Sequence, residues 1–268
     1  FLEPLRVPAE LIEELAAPIK KAGHEFVYFD EKTTDVNELA ERSKDLDIVM
    51  IANNPYPKEA FENAADLKLI NVAFTGFDHV DVAYANERDI KIANAAGYSN
   101  TAVSELVIGL VLDVYRQISR GDKEIRTPEF AGPFQGQEIK GKTVGIIGTG
   151  NIGLQTARLF KAFDANIIAH SRTEKEEAKE LGIEYVSLDE LMAESDIVSV
   201  HLPQNEETIG MISREKLELM KDTAILINCA RGPIIDNDAL ADLLNEEKIA
   251  GAGIDVFDME PPIPADYA

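Results

Sequence analysis

Gly148, Gly150 and Gly153 open the chemistry of this sequence: within TVGIIGTGNIG they spell G-x-G-x-x-G directly after a strand-forming run. A dinucleotide pyrophosphate asks for such a turn. The first glycine permits a tight reversal, the second lets the phosphates approach the backbone, and the third lets the next helix lie close to the strand. N–H groups at the start of that helix then face the phosphates. Three glycines alone are unspecific, but their context is not. Ile152, Leu159, Phe160 and Phe163 recur at helical spacing after the turn, and a second strand pattern, NIIAH, follows at residues 166–170.

The end of that second strand raises a question of selectivity. A carboxylate there normally accepts hydrogen bonds from the adenosine ribose 2′-OH and so selects NAD. This sequence has Ser171, Arg172 and Thr173 instead. Two hydroxyls flanking a guanidinium offer donors to a 2′-phosphate, which a carboxylate would repel. The triplet therefore points to NADP as the preferred cofactor, with NAD as the other possibility. Glu174, Glu176 and Glu177 weaken the local positive potential.

Two series of elements must position these groups. Short β-rich runs alternate with amphipathic helical patterns, the signature of parallel α/β architecture. EFVYFD, DIVMIAN, LKLINVAF and IKIANA form the first series, with helical stretches AELIEELAAPIKKAG and DVNELAERSKD between them. Their short units read as a flavodoxin-like domain. TVGIIG, NIIAH, DIVSVHLP, AILINCA and IAGAGIDVF form the second, a Rossmann domain. A single long helix from Ser99 to Arg126 opens it. The domains expected are residues 1–96, incomplete at both chain ends, and residues 97–268.

In an open parallel sheet, ligands bind outside the carboxyl ends of the strands. Arg231 follows one strand of the second series, Asp255 ends the next, and Glu260 lies a few residues beyond, so all three should share one rim. The chain resembles the D-2-hydroxyacid dehydrogenase family. GTGNIG, VHLP, NCARGPIID and GAGIDVFDMEPP match the family's signatures in order and spacing, and the likeness covers nearly all 268 residues.

That resemblance implies a role for each matching residue. Arg231 would hold the substrate carboxylate and polarise the 2-keto oxygen, a task for a permanently charged two-point donor. Glu260 would orient a histidine and raise its pKa so that it protonates the carbonyl oxygen as hydride arrives. Asn151 and Ile152 would lie by the pyrophosphate, Leu202, Pro203 and Thr208 along the cofactor, Asp255 near the nicotinamide carboxamide, and Cys229 and Ala230 on the same edge. In the first domain, FTGFDHVD resembles the substrate loop, with backbone N–H groups around Thr75, Gly76 and Phe77 receiving the carboxylate. Tyr56, Phe74 and Phe77 would favour an apolar or aromatic side chain if they face the substrate. The family's catalytic histidine is expected beyond Ala268, because His24, His79, His170 and His201 read as structural or cofactor-adjacent.

The implied activity is hydride transfer across an interdomain cleft between NADP(H), or NAD(H), and a small 2-keto acid or D-2-hydroxy acid. The alternative on the same fold is a nucleotide-sensing binding protein, like the family's corepressor relatives, with little turnover. Glyoxylate, hydroxypyruvate, pyruvate and branched keto acids all stay open as substrates. The net charge of −23 disfavours nucleic-acid and membrane-surface partners. One cysteine, no membrane-length apolar run and no signal-peptide pattern at the start make a cytoplasmic protein the expectation. No metal is implied, and the long helix together with the resemblance points to a homodimer.

Overall fold

A computed structural model describes residues 1–126 and 135–259, which fall into two compact units, Phe1–Tyr98 and Ser99–Ala268. Among the described residues, no helix is long and apolar enough to cross a membrane.

In the first unit, helices α1 (Ala9–Lys21) and α2 (Val36–Arg42) precede β1 (Ile48–Ile51), β2 (Leu69–Val72), α3 (Val82–Glu87) and β3 (Lys91–Asn94). The strands form a parallel sheet in the order β1-β2-β3. Asp35 and Asp81 start α2 and α3 by accepting backbone N–H groups of the first turn, which leaves fewer helix-end donors unsatisfied. The core gathers Leu39, Val49, Ile51, Tyr56, Phe61, Ile70 and Val72.

The segment EFVYFD does not form the regular strand its composition predicts. It makes a single parallel rung: the Phe1 backbone nitrogen donates to the Val27 carbonyl at 2.6 Å and the Phe29 N–H to the Phe1 carbonyl at 3.0 Å. Leu2 in turn donates to the Met50 carbonyl at 3.0 Å. Beyond Leu2 the Glu3 side chain replaces the ladder, accepting the Ala52 and Asn54 N–H groups. Pairing by Phe1 and Leu2 thus puts the extended segments in the order 27–29, 1–2, β1, β2, β3, the doubly wound order of flavodoxin-like sheets.

The second unit begins with α4 (Asn100–Arg116) and α5 (Ile118–Ile125). The predicted single helix is broken at Gln117, whose φ of 52° is left-handed. Asp113 accepts both the N–H and the hydroxyl of Ser119, closing the end of α4 with a side chain that a continuous helix would leave in solvent. Then follow β4 (Thr143–Ile147), α6 (Asn151–Ala162), β5 (Asn166–His170), α7 (Glu176–Glu180), β6 (Glu184–Tyr185), α8 (Leu188–Glu194), β7 (Ile197–Val200), α9 (Arg214–Leu217), β8 (Ile225–Asn228), α10 (Asn237–Asn245) and β9 (Gly251–Ile254). All six strands are parallel, in the order β6-β5-β4-β7-β8-β9. This is the dinucleotide-binding order, reversing between β4 and β7.

Both faces of this sheet are covered, which is why β7 and β8 are buried at every position. Ile146, Ile197, Ile225 and Ile227 pack with Val107, Val111, Leu154 and Phe160 from α4 and α6. Their neighbours Ile147, Val198, Val200 and Leu226 point the other way, onto Leu191, Leu217, Leu240 and Leu243 from α8, α9 and α10. The buried stripe of α6 is Gly153, Leu154, Thr156, Ala157 and Phe160, whereas Phe163, expected on it, lies past the helix end and is exposed.

Candidate functional site

Gly148 leaves β4 with φ of +97°, and a Cβ there would sit 2.7 Å from the His201 carbonyl oxygen at the end of β7. Its N–H donates to the His170 carbonyl at the end of β5, so the turn is fastened to both neighbouring strands. Gly153 lies so close under the turn that a Cβ would come within 2.0 Å of the Gly148 oxygen. Gly150 is the opposite case: a Cβ would meet nothing within 4 Å. It is also the N-cap of α6, and no side chain caps that helix. A 12-residue helix therefore points its N-terminal donors, from Asn151 and Ile152 onward, past a residue with no side chain. These features fit a dinucleotide pyrophosphate.

Ser171, Arg172 and Thr173 follow β5 beside this turn. Tyr185 of β6 ties the two loops together, its hydroxyl donating to Thr149 Oγ1 at 2.8 Å and accepting the Lys175 N–H at 3.1 Å. Nothing in the sequence motif pointed to Tyr185, because β6 is only two residues long. Arg172 bonds Glu207 at 2.9 Å, in the loop after β7. Glu174 and Glu176 pair with Lys179, and Glu177 with Arg158, so the acidic residues nearest in sequence do not engage Arg172.

The loop after β7 carries Leu202, Pro203 and Thr208. Leu202 reaches over Gly148, 3.1 Å from where its Cβ would be. The Thr208 hydroxyl is already engaged within the loop: it donates to the Pro203 carbonyl at 2.6 Å and accepts the Asn205 N–H at 2.9 Å. Asn205 Oδ1 returns the favour by accepting the Glu207 and Thr208 N–H groups. The loop is thereby held rigid. His201 at its start shares a 2.9 Å hydrogen bond with Ser199, and desolvation lowers its pKa to about 4, which disfavours the imidazolium form at neutral pH.

Arg231 owes its position to Asn228, the last residue of β8, which is fully buried. Asn228 accepts the Ala230 N–H at 3.0 Å and donates to the Arg231 carbonyl at 2.9 Å, closing a turn around Cys229. Gly232 then lets the chain beyond β9 cross directly against that turn: a Cβ there would lie 2.1 Å from the Phe257 carbonyl. Asp255 donates its N–H to the Asn228 carbonyl at 3.0 Å. Desolvation raises the Asp255 carboxyl above the ordinary range, and desolvation followed by the Asp255 charge pushes the Cys229 thiol up to about 12. Gly232 and Asn228 escaped the sequence reading, although both sit inside the NCARGPIID signature.

One rim thus collects the glycine turn, Ser171 to Thr173, Leu202 and Pro203, Cys229 to Arg231, and Asp255. Glu260 and the histidine expected past Ala268 lie outside the described residues. In the first unit, Thr75, Gly76 and Phe77 follow β2, where Asn94 donates to the Thr75 carbonyl at 2.7 Å. Phe74 and Phe77 are exposed there. Tyr56, expected to face substrate, is instead wholly buried: its ring packs edge-on against Phe61 and its hydroxyl donates to Ser43. An apolar ring with one satisfied polar tip is core material here, not a specificity wall. Among the described residues, no group of three or more His, Cys, Asp or Glu side chains could hold a metal ion.

The sequence model of a family described as D-isomer specific 2-hydroxyacid dehydrogenase, NAD binding domain, matches residues 108–267. The glyoxylate reductase of Pyrococcus furiosus is 40% identical over 245 residues, covering 88% of this chain and 73% of that protein. Among solved structures, the D-lactate dehydrogenase of Aquifex aeolicus, complexed with NAD and lactic acid, superposes with a TM-score of 0.87 at 30% identity, covering 97% of this chain and 81% of that one. An acyclic imino acid reductase in complex with NADPH and D-Arg superposes with a TM-score of 0.85 at 32% identity, covering 98% and 84%.

Proposed function

The chain belongs to the D-isomer specific 2-hydroxyacid dehydrogenase family, and we propose that it is an NADPH-preferring reductase of small 2-keto acids. The observation that carries this reading is the pairing on one rim of an uncapped α6 behind the glycine turn with the Asn228-clamped turn that bears Arg231.

The glycine turn, Asn151 and Ile152 hold the pyrophosphate, and Ser171, Arg172 and Thr173 receive the 2′-phosphate. Leu202, Pro203 and the Thr208 loop line the dinucleotide, while Cys229, Ala230 and Asp255 flank the nicotinamide end. When bound, the reduced cofactor supplies the hydride. Arg231 grips the substrate carboxylate with two N–H groups and polarises the keto oxygen, so charge growing on that oxygen meets a fixed cation. Backbone N–H groups at Thr75, Gly76 and Phe77 are the donors assigned to the carboxylate in the first unit. The oxygen also needs a proton from a group with a pKa near the working pH, a role assigned to a histidine oriented by Glu260. His201, at a pKa of about 4, is not that donor.

Glyoxylate heads the substrates to test, since relatives about 40% identical carry the name glyoxylate reductase. A cytoplasmic setting fits the lone free thiol. A homodimer fits the exposed Ile118 and Ile125 on α5.

Steady-state reduction of glyoxylate, hydroxypyruvate, pyruvate and a branched 2-keto acid, each with NADPH and with NADH, tests the proposal. Turnover of at least one acid, faster per unit concentration with NADPH, is expected. Tight cofactor binding with no turnover of any acid would leave a nucleotide-sensing protein in its place.

A further inference from the structure

We infer that Glu207 is a specificity-determining residue: its carboxylate holds Arg172 across the adenosine-ribose site and competes with a 2′-phosphate for that guanidinium. The inference rests on the proposed role of Arg172 in NADPH binding.

Topology makes the pair more than a surface contact. Arg172 follows β5 and Glu207 follows β7, while β4, which ends in the glycine turn, lies between those strands. The 2.9 Å bond from Arg172 Nη1 to Glu207 Oε2 therefore straddles the turn where the dinucleotide lies. The carboxylates that follow Arg172 in sequence are drawn off: Glu174 and Glu176 to Lys179, Glu177 to Arg158. Glu207 is the carboxylate that Arg172 meets in the free protein, and a phosphate arriving at Arg172 must displace it. NADH, lacking that phosphate, makes no such demand.

Glu207 is also placed to act without serving the fold. The turn around it is built from its backbone N–H, donated to Asn205 Oδ1, and from the Thr208 hydroxyl. Both partners of the ion pair are mainly solvent-exposed, at 85% for Arg172 and 72% for Glu207. Such a pair is weak enough to open for a ligand, and its removal leaves the loop intact.

The test is a double-mutant cycle read by equilibrium titration of NADPH and NADH against the full chain, its Glu207→Gln and Arg172→Gln variants, and the double variant. Glu207→Gln is expected to tighten NADPH by about two- to fivefold, the range set by an exposed pair, and to leave NADH unchanged. Arg172→Gln should weaken NADPH selectively, and adding Glu207→Gln to it should then give no further gain. If Arg172→Gln weakens NADPH but Glu207→Gln changes nothing, the competition is absent and the inference falls alone. An equal gain from Glu207→Gln in both backgrounds would mean simple repulsion of the phosphate, which overturns the role through Arg172. An Arg172→Gln variant with unaltered NADPH affinity would overturn both this inference and the NADP reading beneath it.

Discussion

At the amino edge of the six-stranded sheet, Asp196 accepts the Thr143 N–H at 2.8 Å and the Lys221 ammonium at 3.0 Å, while the Tyr115 hydroxyl reaches its carbonyl at 3.4 Å. At the carboxyl edge of the same strands, α6 starts without a side-chain cap and Gly150 faces open space. Both edges carry charged and polar groups at strand ends. At the amino edge those groups satisfy one another and close the fold. At the carboxyl edge, apart from the exposed Arg172–Glu207 pair, the side chains that could do so spend their bonds holding loops in shape, as Asn228 does for Arg231 and Thr208 does for Pro203. Internal pairing marks architecture, whereas donors aimed outward from a rigid frame mark a place for a ligand.

The sharpest way to break that contrast is at Arg231. Arg231→Lys keeps the charge but loses the planar two-point grip, so keto-acid turnover should fall by roughly 10²–10³-fold while NADPH affinity stays near that of the parent. Near-normal turnover in steady-state kinetics would remove Arg231 from the site. Next come the close approaches that hold the rim together. Gly153→Ala must push a Cβ against the Gly148 oxygen, and Gly232→Ala against the Phe257 carbonyl, each costing about 1–3 kcal/mol in urea denaturation. Gly153→Ala should also weaken NADPH, whereas Gly150→Ala, with open space around it, should weaken NADPH without loss of stability.

A smaller effect belongs to the amino edge. Desolvation alone would raise the Asp196 carboxyl, but the Thr143 N–H and Lys221 outweigh it and hold the group below the ordinary carboxylate range. A depressed folded pKa adds stability above the unfolded value of about 3.9, and that contribution is lost as pH falls through the folded value. Asp196→Asn should therefore cost about 1 kcal/mol at pH 7, with the gap to the parent closing in strongly acidic buffer and cofactor affinity unaffected. A change in NADPH binding would show that the two edges are coupled. Cys229 gives the least effect of all: with its thiol at about 12, alkylation at pH 8 should run on the order of 10³-fold slower than for an ordinary thiol.

Much of this contrast is legible in the sequence. The three central strands of the Rossmann sheet, β4, β7 and β8, stand out as apolar runs because they are buried on both faces, and the glycine spacing reports a close approach that only glycine allows. Partners far apart in sequence were not legible. Arg172 and Glu207 are 35 residues apart, and Thr149 and Tyr185 are 36 apart; only the strand order brings them together. Local exceptions to periodicity escaped for a related reason. α4 stops at Gln117 although the apolar spacing runs on, because Asp113 captures Ser119. Tyr56 read as a loop aromatic because its burial depends on Phe61 and Ser43, which no motif links to it.

The central claim is that the carboxyl edge is a dinucleotide site tuned to a 2′-phosphate by Ser171, Arg172 and Thr173. Calorimetric titration of NADPH and NADH into the parent and into Ser171→Asp tests it most directly. Charge-assisted hydrogen bonds to the phosphate should make NADPH the tighter ligand by about tenfold or more in the parent. The new carboxylate should erase or reverse that preference by repelling the phosphate and accepting the ribose hydroxyl of NADH. Equal affinities in the parent, or a preference untouched by Ser171→Asp, would contradict it.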